Sequence, residues 1–75
     1  MNVDKPLPEF KQVISSQIKE IAYDELSEML YIRFKANSVI YKYHPVSKQE
    51  YQGLISADSV GKYFNSNIKN KHFNN

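Results

Sequence analysis

Apolar positions along this chain change period partway through, and the change marks its architecture. From Met29 to Phe34, the residues Leu30, Ile32 and Phe34 alternate with Tyr31 and Arg33. A period of two sorts side chains onto opposite faces of a β-strand. From Val39 to His44, Val39, Tyr41 and Tyr43 share one face, and Ile40, Lys42 and His44 share the other. An earlier strand is predicted from Ser16 to Tyr23. Its apolar residues Ile18, Ile21 and Tyr23 break strict alternation, which points to a β-bulge. The segments 24–28 and 35–38 are polar connections of hairpin length. In the second, Asn37 tolerates the left-handed backbone that tight turns use.

One buried face fixes the register. If Phe34 pairs with Val39, then Ile32 faces Tyr41 and Leu30 faces Tyr43. Every strongly apolar pair then lies on one side. A slip of one residue would set Ile32 against Lys42. The favoured register makes Tyr41 and Tyr43 core partners, and the outer sheet face shows Tyr31, Arg33, Ile40, Lys42 and His44.

After His44 the period becomes helical. Ser47-Lys48-Gln49-Glu50 has the form of a capping box, with Ser47 at N-cap and Glu50 at N3. Val46 precedes the cap and can staple against Tyr51. Tyr51, Leu54 and Ile55 form one stripe, and the helix should end near Ser56-Ala57. A second helix is expected from about Ser59 to Lys69, capped by Asp58 or Ser59. Val60, Phe64 and Ile68 recur at i, i+4 and i+8, so this stripe faces the core. Gly61 in its first turn costs about 1 kcal/mol against alanine, and a glycine there lets another element approach closely.

The ends are less patterned. Residues 1–15, with Pro6 and Pro8, read as an extended or partly ordered arm. Within it Phe10, Val13 and Ile14 have partly helical spacing, as a short turn on the sheet or a lead-in. Residues 16–73 form the domain and 74–75 a tail. The last residues should fray unless Phe73 docks. The expected fold class is α+β: a three-stranded antiparallel meander followed by two helices packed on one face, in the order β-β-β-α-α.

Composition narrows the function classes. Seventy-five residues make one domain. A core this small supplies about 3–5 kcal/mol of net stability. The chain has no cysteine, so no disulfide or thiolate metal site staples it. No apolar run is long enough to span a bilayer, and the first residues lack the apolar stretch of a secretory signal. A cytoplasmic location is the expectation, with no membrane partner. The histidines, His44 and His72, have no ligand spacing, and neither is set beside a nucleophile or carboxylate. Gly53 and Gly61 are the only glycines, so no phosphate-cradling loop exists. No catalytic residue, metal or cofactor is expected, and the chain reads as a non-enzyme.

Charge adds a direction. Residues 1–37 carry five Lys/Arg against six Asp/Glu, and residues 38–75 carry five Lys against two acids. The halves therefore differ, at −1 and +3. From Ser59 onward Lys62, Lys69 and Lys71 meet no acid. A basic half is a footprint for an anionic partner, and also what a solvated helix face looks like.

The ordered part resembles a known family. Ser16, Ile18, Ile21, Tyr23 and Asp24 resemble its opening strand, and Leu30, Ile32 and Phe34 its second. Tyr41-Lys42-Tyr43 matches a central Y-x-Y motif. Val46, Tyr51, Leu54, Ala57, Ser59, Gly61, Tyr63-Phe64-Asn65 and Ile68 resemble its helical half. These residues are similar to the KTSC domain, named for the lysyl-tRNA synthetase C-terminal domain, from about Ser16 to Phe73. The Y-x-Y followed by S-x-G-x-Y-F-N is the specific part. The turn at Ala36-Asn37-Ser38 departs from the family in lacking glycine, and Phe73 stands where tyrosine is usual. The resemblance implies a small domain, alone in bacterial proteins or appended to a synthetase, with RNA binding as its suggested role.

The resulting expectation is a noncatalytic binding module with RNA or another nucleic acid as partner. Its candidate residues are Tyr31, Arg33, Lys42 and His44 on the outer sheet face, with Lys62, Asn65, Lys69 and Lys71 on and beyond the second helix. Cations would hold phosphates, and flat rings would stack on bases. The alternative is a protein-interaction or adaptor module acting through a sheet edge or the outer face.

Overall fold

In the computed structural model, which describes residues 8–37, 39–69 and 73–74, the strands are β1 (Lys11–Gln12), β2 (Ile18–Asp24), β3 (Met29–Phe34), β4 (Ile40–His44) and β5 (Phe73–Asn74). Helix α1 (Lys48–Ser56) and helix α2 (Val60–Tyr63) follow β4, and α2 runs directly into a π-helical turn, Phe64–Ile68. The sheet is antiparallel throughout, in the order β1-β2-β3-β4-β5. The predicted three-stranded meander is therefore its centre only. Two short strands extend it, one at each edge. The arm expected as a turn or lead-in places Lys11 opposite Ile21 and Gln12 opposite Glu20, so the outer edge of β2 is partly occupied. Beyond β4, the backbone of Phe73 pairs with that of His44.

The central register is the one that apolar alternation demands. Leu30 faces Tyr43, Ile32 faces Tyr41 and Arg33 faces Ile40. The predicted irregularity in β2 is a register shift between Ile18 and Glu20. The shift lets both Ile18 and Ile21 reach the core side, where each is fully buried. β2 begins at Ile18 rather than Ser16 for a local reason. The Ser15 hydroxyl accepts the N–H groups of Gln17 and Ile18, both at 3.2 Å, and so competes with a ladder there.

The hairpin turns use a different chemistry from the one expected. Asn37 acts through its side chain: Oδ1 accepts the Val39 N–H at 3.0 Å. Asp24 does the same for Leu26 at 3.1 Å. Among the described residues, the left-handed one is Glu28, with φ of 58°.

Helix α1 carries the full capping box. Ser47 Oγ accepts the Glu50 N–H at 3.1 Å, and Glu50 Oε1 accepts the Ser47 N–H at 3.0 Å. Ser59 caps α2, its Oγ accepting the Lys62 N–H at 3.3 Å. The expected single helix instead widens after Tyr63. The Lys69 N–H donates to the Phe64 carbonyl at 2.9 Å, a span of five residues. Val60, Phe64 and Ile68 nonetheless all stay buried.

Those three residues join Ile18, Ile21, Leu30, Ile32, Tyr43, Val46 and Leu54 in one core between the helices and one sheet face. Tyr23 and Tyr51 stack at 4.4 Å, and the Tyr23 hydroxyl donates to the Val46 carbonyl at 2.6 Å. This pair locks the end of β2 to the start of α1. Helix spacing is set by small residues. A Cβ on Gly53 would overlap the Tyr63 hydroxyl, and one on Gly61 would crowd the Gln17 side chain at 3.1 Å.

Candidate functional site

The core side of the sheet does not close completely over β4. Four aromatic residues meet there in a chain of edge-to-face contacts. Tyr41 meets Phe34 at 5.3 Å and 82°, Phe34 meets Phe64 at 5.7 Å, and Phe64 meets Tyr43 at 5.1 Å and 83°. Edge-to-face rings are a favourable arrangement of aromatic quadrupoles. Tyr43 and Phe64 are 3% exposed and form a floor, while Phe34 and Tyr41 are half-buried and form walls. Above them opens a cleft of about 580 Å³. That lies within the usual range of small-ligand sites, roughly 300–1,000 Å³.

Three separate parts of the chain supply its rim. The turn after β3 brings Lys35, Ala36 and Asn37. The segment before β2 brings Ser16 and Gln17, held to that turn because the Lys35 N–H donates to the Gln17 carbonyl at 2.9 Å. The π-helical turn brings Asn65, with Lys69 directly after it. The described lining residues include two lysines and no carboxylate. Among the described residues neither lysine has an ion-pair partner.

Burial, then the neighbouring Tyr41, raises the Tyr43 phenol above its ordinary value of 10.0. Burial also raises Tyr23, with Glu28 the next cause. Both phenols therefore stay protonated near neutral pH, and Tyr43 is a neutral floor rather than a source of negative charge.

The opposite sheet face differs. Arg33 Nε lies 3.3 Å from Glu20 Oε2, within ion-pair distance though not aligned as a hydrogen bond. Its guanidinium sits 5.1 Å from the centre of the Phe10 ring. The β1 register, continued by one residue, puts Phe10 opposite Ala22, which is 1% exposed. The N-terminal segment thus covers part of the face that was expected to be open. Lys42 and His44 are exposed there, and Tyr31 is half-buried opposite Lys42.

The eight residues nominated from sequence consequently do not form one surface. Asn65 and Lys69 line the cleft. Lys62 is exposed nearer the start of the helical segment and is not part of the lining. Tyr31, Arg33, Lys42 and His44 lie on the other side of the sheet. Lys71 falls outside the described residues, as does His72. Sequence reasoning missed Lys35 and the wall formed by Phe34 and Tyr41. The register had already put both rings on the core side, so the signal was present but was read as core alone.

A second groove lies at the β1 edge, where Val13, Ile14, Ile55 and Val60 line a space of about 480 Å³. Ile14 there is 98% exposed. Among the described residues no cluster of His, Asp or Glu is placed to hold a metal, and no helix is long and apolar enough to cross a membrane.

This architecture defines a small α+β domain with an antiparallel sheet and helices on one face. The family model of the KTSC domain matches residues 14–73. The chain belongs to the KTSC domain family. It is 34% identical to a KTSC domain protein of Yersinia pestis whose crystal structure superposes with a TM-score of 0.84, over 89% of this chain and 93% of that one. An uncharacterised protein of Stutzerimonas stutzeri (strain A1501) is 32% identical over 59 residues, covering 79% of this chain and 82% of the relative.

Proposed function

We propose that this chain is a small noncatalytic binding module whose partner is RNA, bound at the cleft rather than on the outer sheet face. The observation that carries the reading is the aromatic cleft lined by Lys35 and Lys69, with no carboxylate among its described lining residues. Rings offer stacking surfaces that any base can use, and lysines with no ion-pair partner among the described residues offer phosphate contacts. Arg33 is already engaged by Glu20 and Phe10, so the outer face has less charge to give.

The test is binding to a mixed RNA pool across a salt series. Affinity should rise as salt falls, because phosphate contacts release counterions. No binding at low ionic strength would remove RNA as the partner. Replacing Arg33 and Lys42 together with alanine should change affinity less than about threefold, since a twofold to threefold change is below 1 kcal/mol. A larger loss would return the site to the outer face.

The groove beside β1 supports a second reading, a protein-interaction module. An exposed isoleucine next to an apolar groove at a sheet edge suits strand addition by a partner. Pull-down from lysate with nuclease treatment separates the readings. A partner protein that survives nuclease and is lost on Ile14→Asp favours the second.

A further inference from the structure

Resting on the RNA reading, we infer that the cleft takes a single unpaired nucleobase, with the phosphates on either side held by Lys35 and Lys69 and the base edge read by Asn65. Ring geometry sets the number of bases. Tyr41 and Phe34 stand at 82° to each other, so they form a corner rather than a platform. A corner stacks one flat ring on one wall and meets its edge with the other. Successive stacked bases would need parallel rings spread along an open sheet, whereas Tyr43 and Phe64 are floor residues with almost no exposed area.

The polar rim sets the strandedness. Asn65 is exposed at the cleft beside the buried Phe64, and its amide offers both a donor and an acceptor. That pairing suits the Watson–Crick edge of a base, which is available only when the base is unpaired. Position follows from the backbone. The wide turn closed by the Lys69 N–H on the Phe64 carbonyl carries Asn65 and Lys69 to the same cleft. Such turns inside helices recur at functional sites.

Charge sets the backbone contacts. Lys35 and Lys69 come from different elements on one cleft, so a strand whose base is inserted has two cations available to its phosphates. Each phosphate contact on a single strand contributes about 0.7 to the slope of log affinity against log salt.

The experiment uses the full chain with four fluorescent single-stranded RNA octamers, one per base, and a blunt RNA duplex as control. Expected results are preference for single strands over duplex by at least tenfold and unequal affinity among the four octamers. Lys35→Ala and Lys69→Ala should each lower the salt slope by about 0.7. Asn65→Ala should flatten the preference among octamers and leave the slope unchanged. All three side chains are exposed, so the variants should fold, and unchanged far-UV circular dichroism checks this. If no RNA binds the parent chain, the RNA reading itself fails. If RNA binds but duplex competes equally, or the lysine variants keep the parent slope, or Asn65→Ala keeps the base preference, the single-base cleft is overturned while the RNA reading survives.

Discussion

The two faces of the sheet carry similar residue types and use them in opposite ways. On the outer face, Arg33 is engaged by the Glu20 carboxylate and the Phe10 ring. On the core side, aromatic residues of comparable size leave an opening, and the cations beside it have no acidic neighbour among the described lining residues. Residue type alone therefore does not mark a site. What differs is whether the groups a partner would need are already occupied within the fold. The outer face has the more conspicuous sequence, with an arginine and a lysine at outward positions of adjacent strands. The cleft has the more available chemistry.

The largest test of this contrast is truncation on each face. Phe64→Ala removes the cleft floor and should cost about 3–5 kcal/mol, a loss comparable to the whole stability of a domain this small. Tyr31→Ala on the outer face should cost about 1 kcal/mol or less, the scale of a cross-strand pair. Urea unfolding followed by circular dichroism reads both. A cooperative transition kept by Phe64→Ala but lost by Tyr31→Ala would invert the assignment of faces.

A middle-sized effect tests how the helical layer is held above the cleft. Gly53→Ala in an exposed helix would add about 1 kcal/mol of stability by propensity. Here the new methyl would overlap the Tyr63 hydroxyl, and Tyr63 packs against the core. Overpacking costs about 1–3 kcal/mol, so the net change should be a loss. At roughly 4–8 °C per kcal/mol, a thermal melt resolves it. In a Tyr63→Leu background the same substitution should become stabilising. A higher melting temperature for Gly53→Ala alone would show that the Tyr63 ring yields to the new methyl.

The sequence made some of these features legible because their causes are local. The capping box at Ser47 and Glu50 depends on four consecutive residues, and the register of β3 with β4 on alternation within two short runs. The bulge in β2 announced itself as a broken period. The two edge strands did not, because two-residue strands owe their form to the strand they pair with. Lys11–Gln12 has no pattern of its own. Lys35 was missed for a related reason: a lysine in a turn has no distinguishing local context. It becomes part of a site only when β4 and the π-helical turn are brought beside it. Arg33 was read as available because its partner Glu20 is thirteen positions earlier, across a bulge that shifts which residues face each other. Tyr41 and Tyr43 were placed correctly on the core side, yet that side includes a cleft, so core and site were not alternatives for them.

The smallest expected effect is a pH dependence that separates the buried floor from the solvent. Tyr43 has its phenol raised above 10.0, chiefly by burial and then by Tyr41. A raised folded-state value means that the folded chain keeps this proton after the unfolded chain has begun to lose it. The associated stability is complete below about pH 10 and declines as pH rises through the folded value. Tyr23 is shifted in the same direction and adds to the decline. Urea midpoints measured from pH 8 to 11 should therefore be flat at first and fall at the alkaline end. Tyr43→Phe should keep its packing in the floor and make the fall shallower, and adding Tyr23→Phe should make it shallower again. A Tyr43→Phe chain whose midpoint falls as steeply as that of the parent would mean that the phenol is solvated in the folded state. The cleft would then have no closed aromatic floor, and the contrast between the two faces would lose its structural basis.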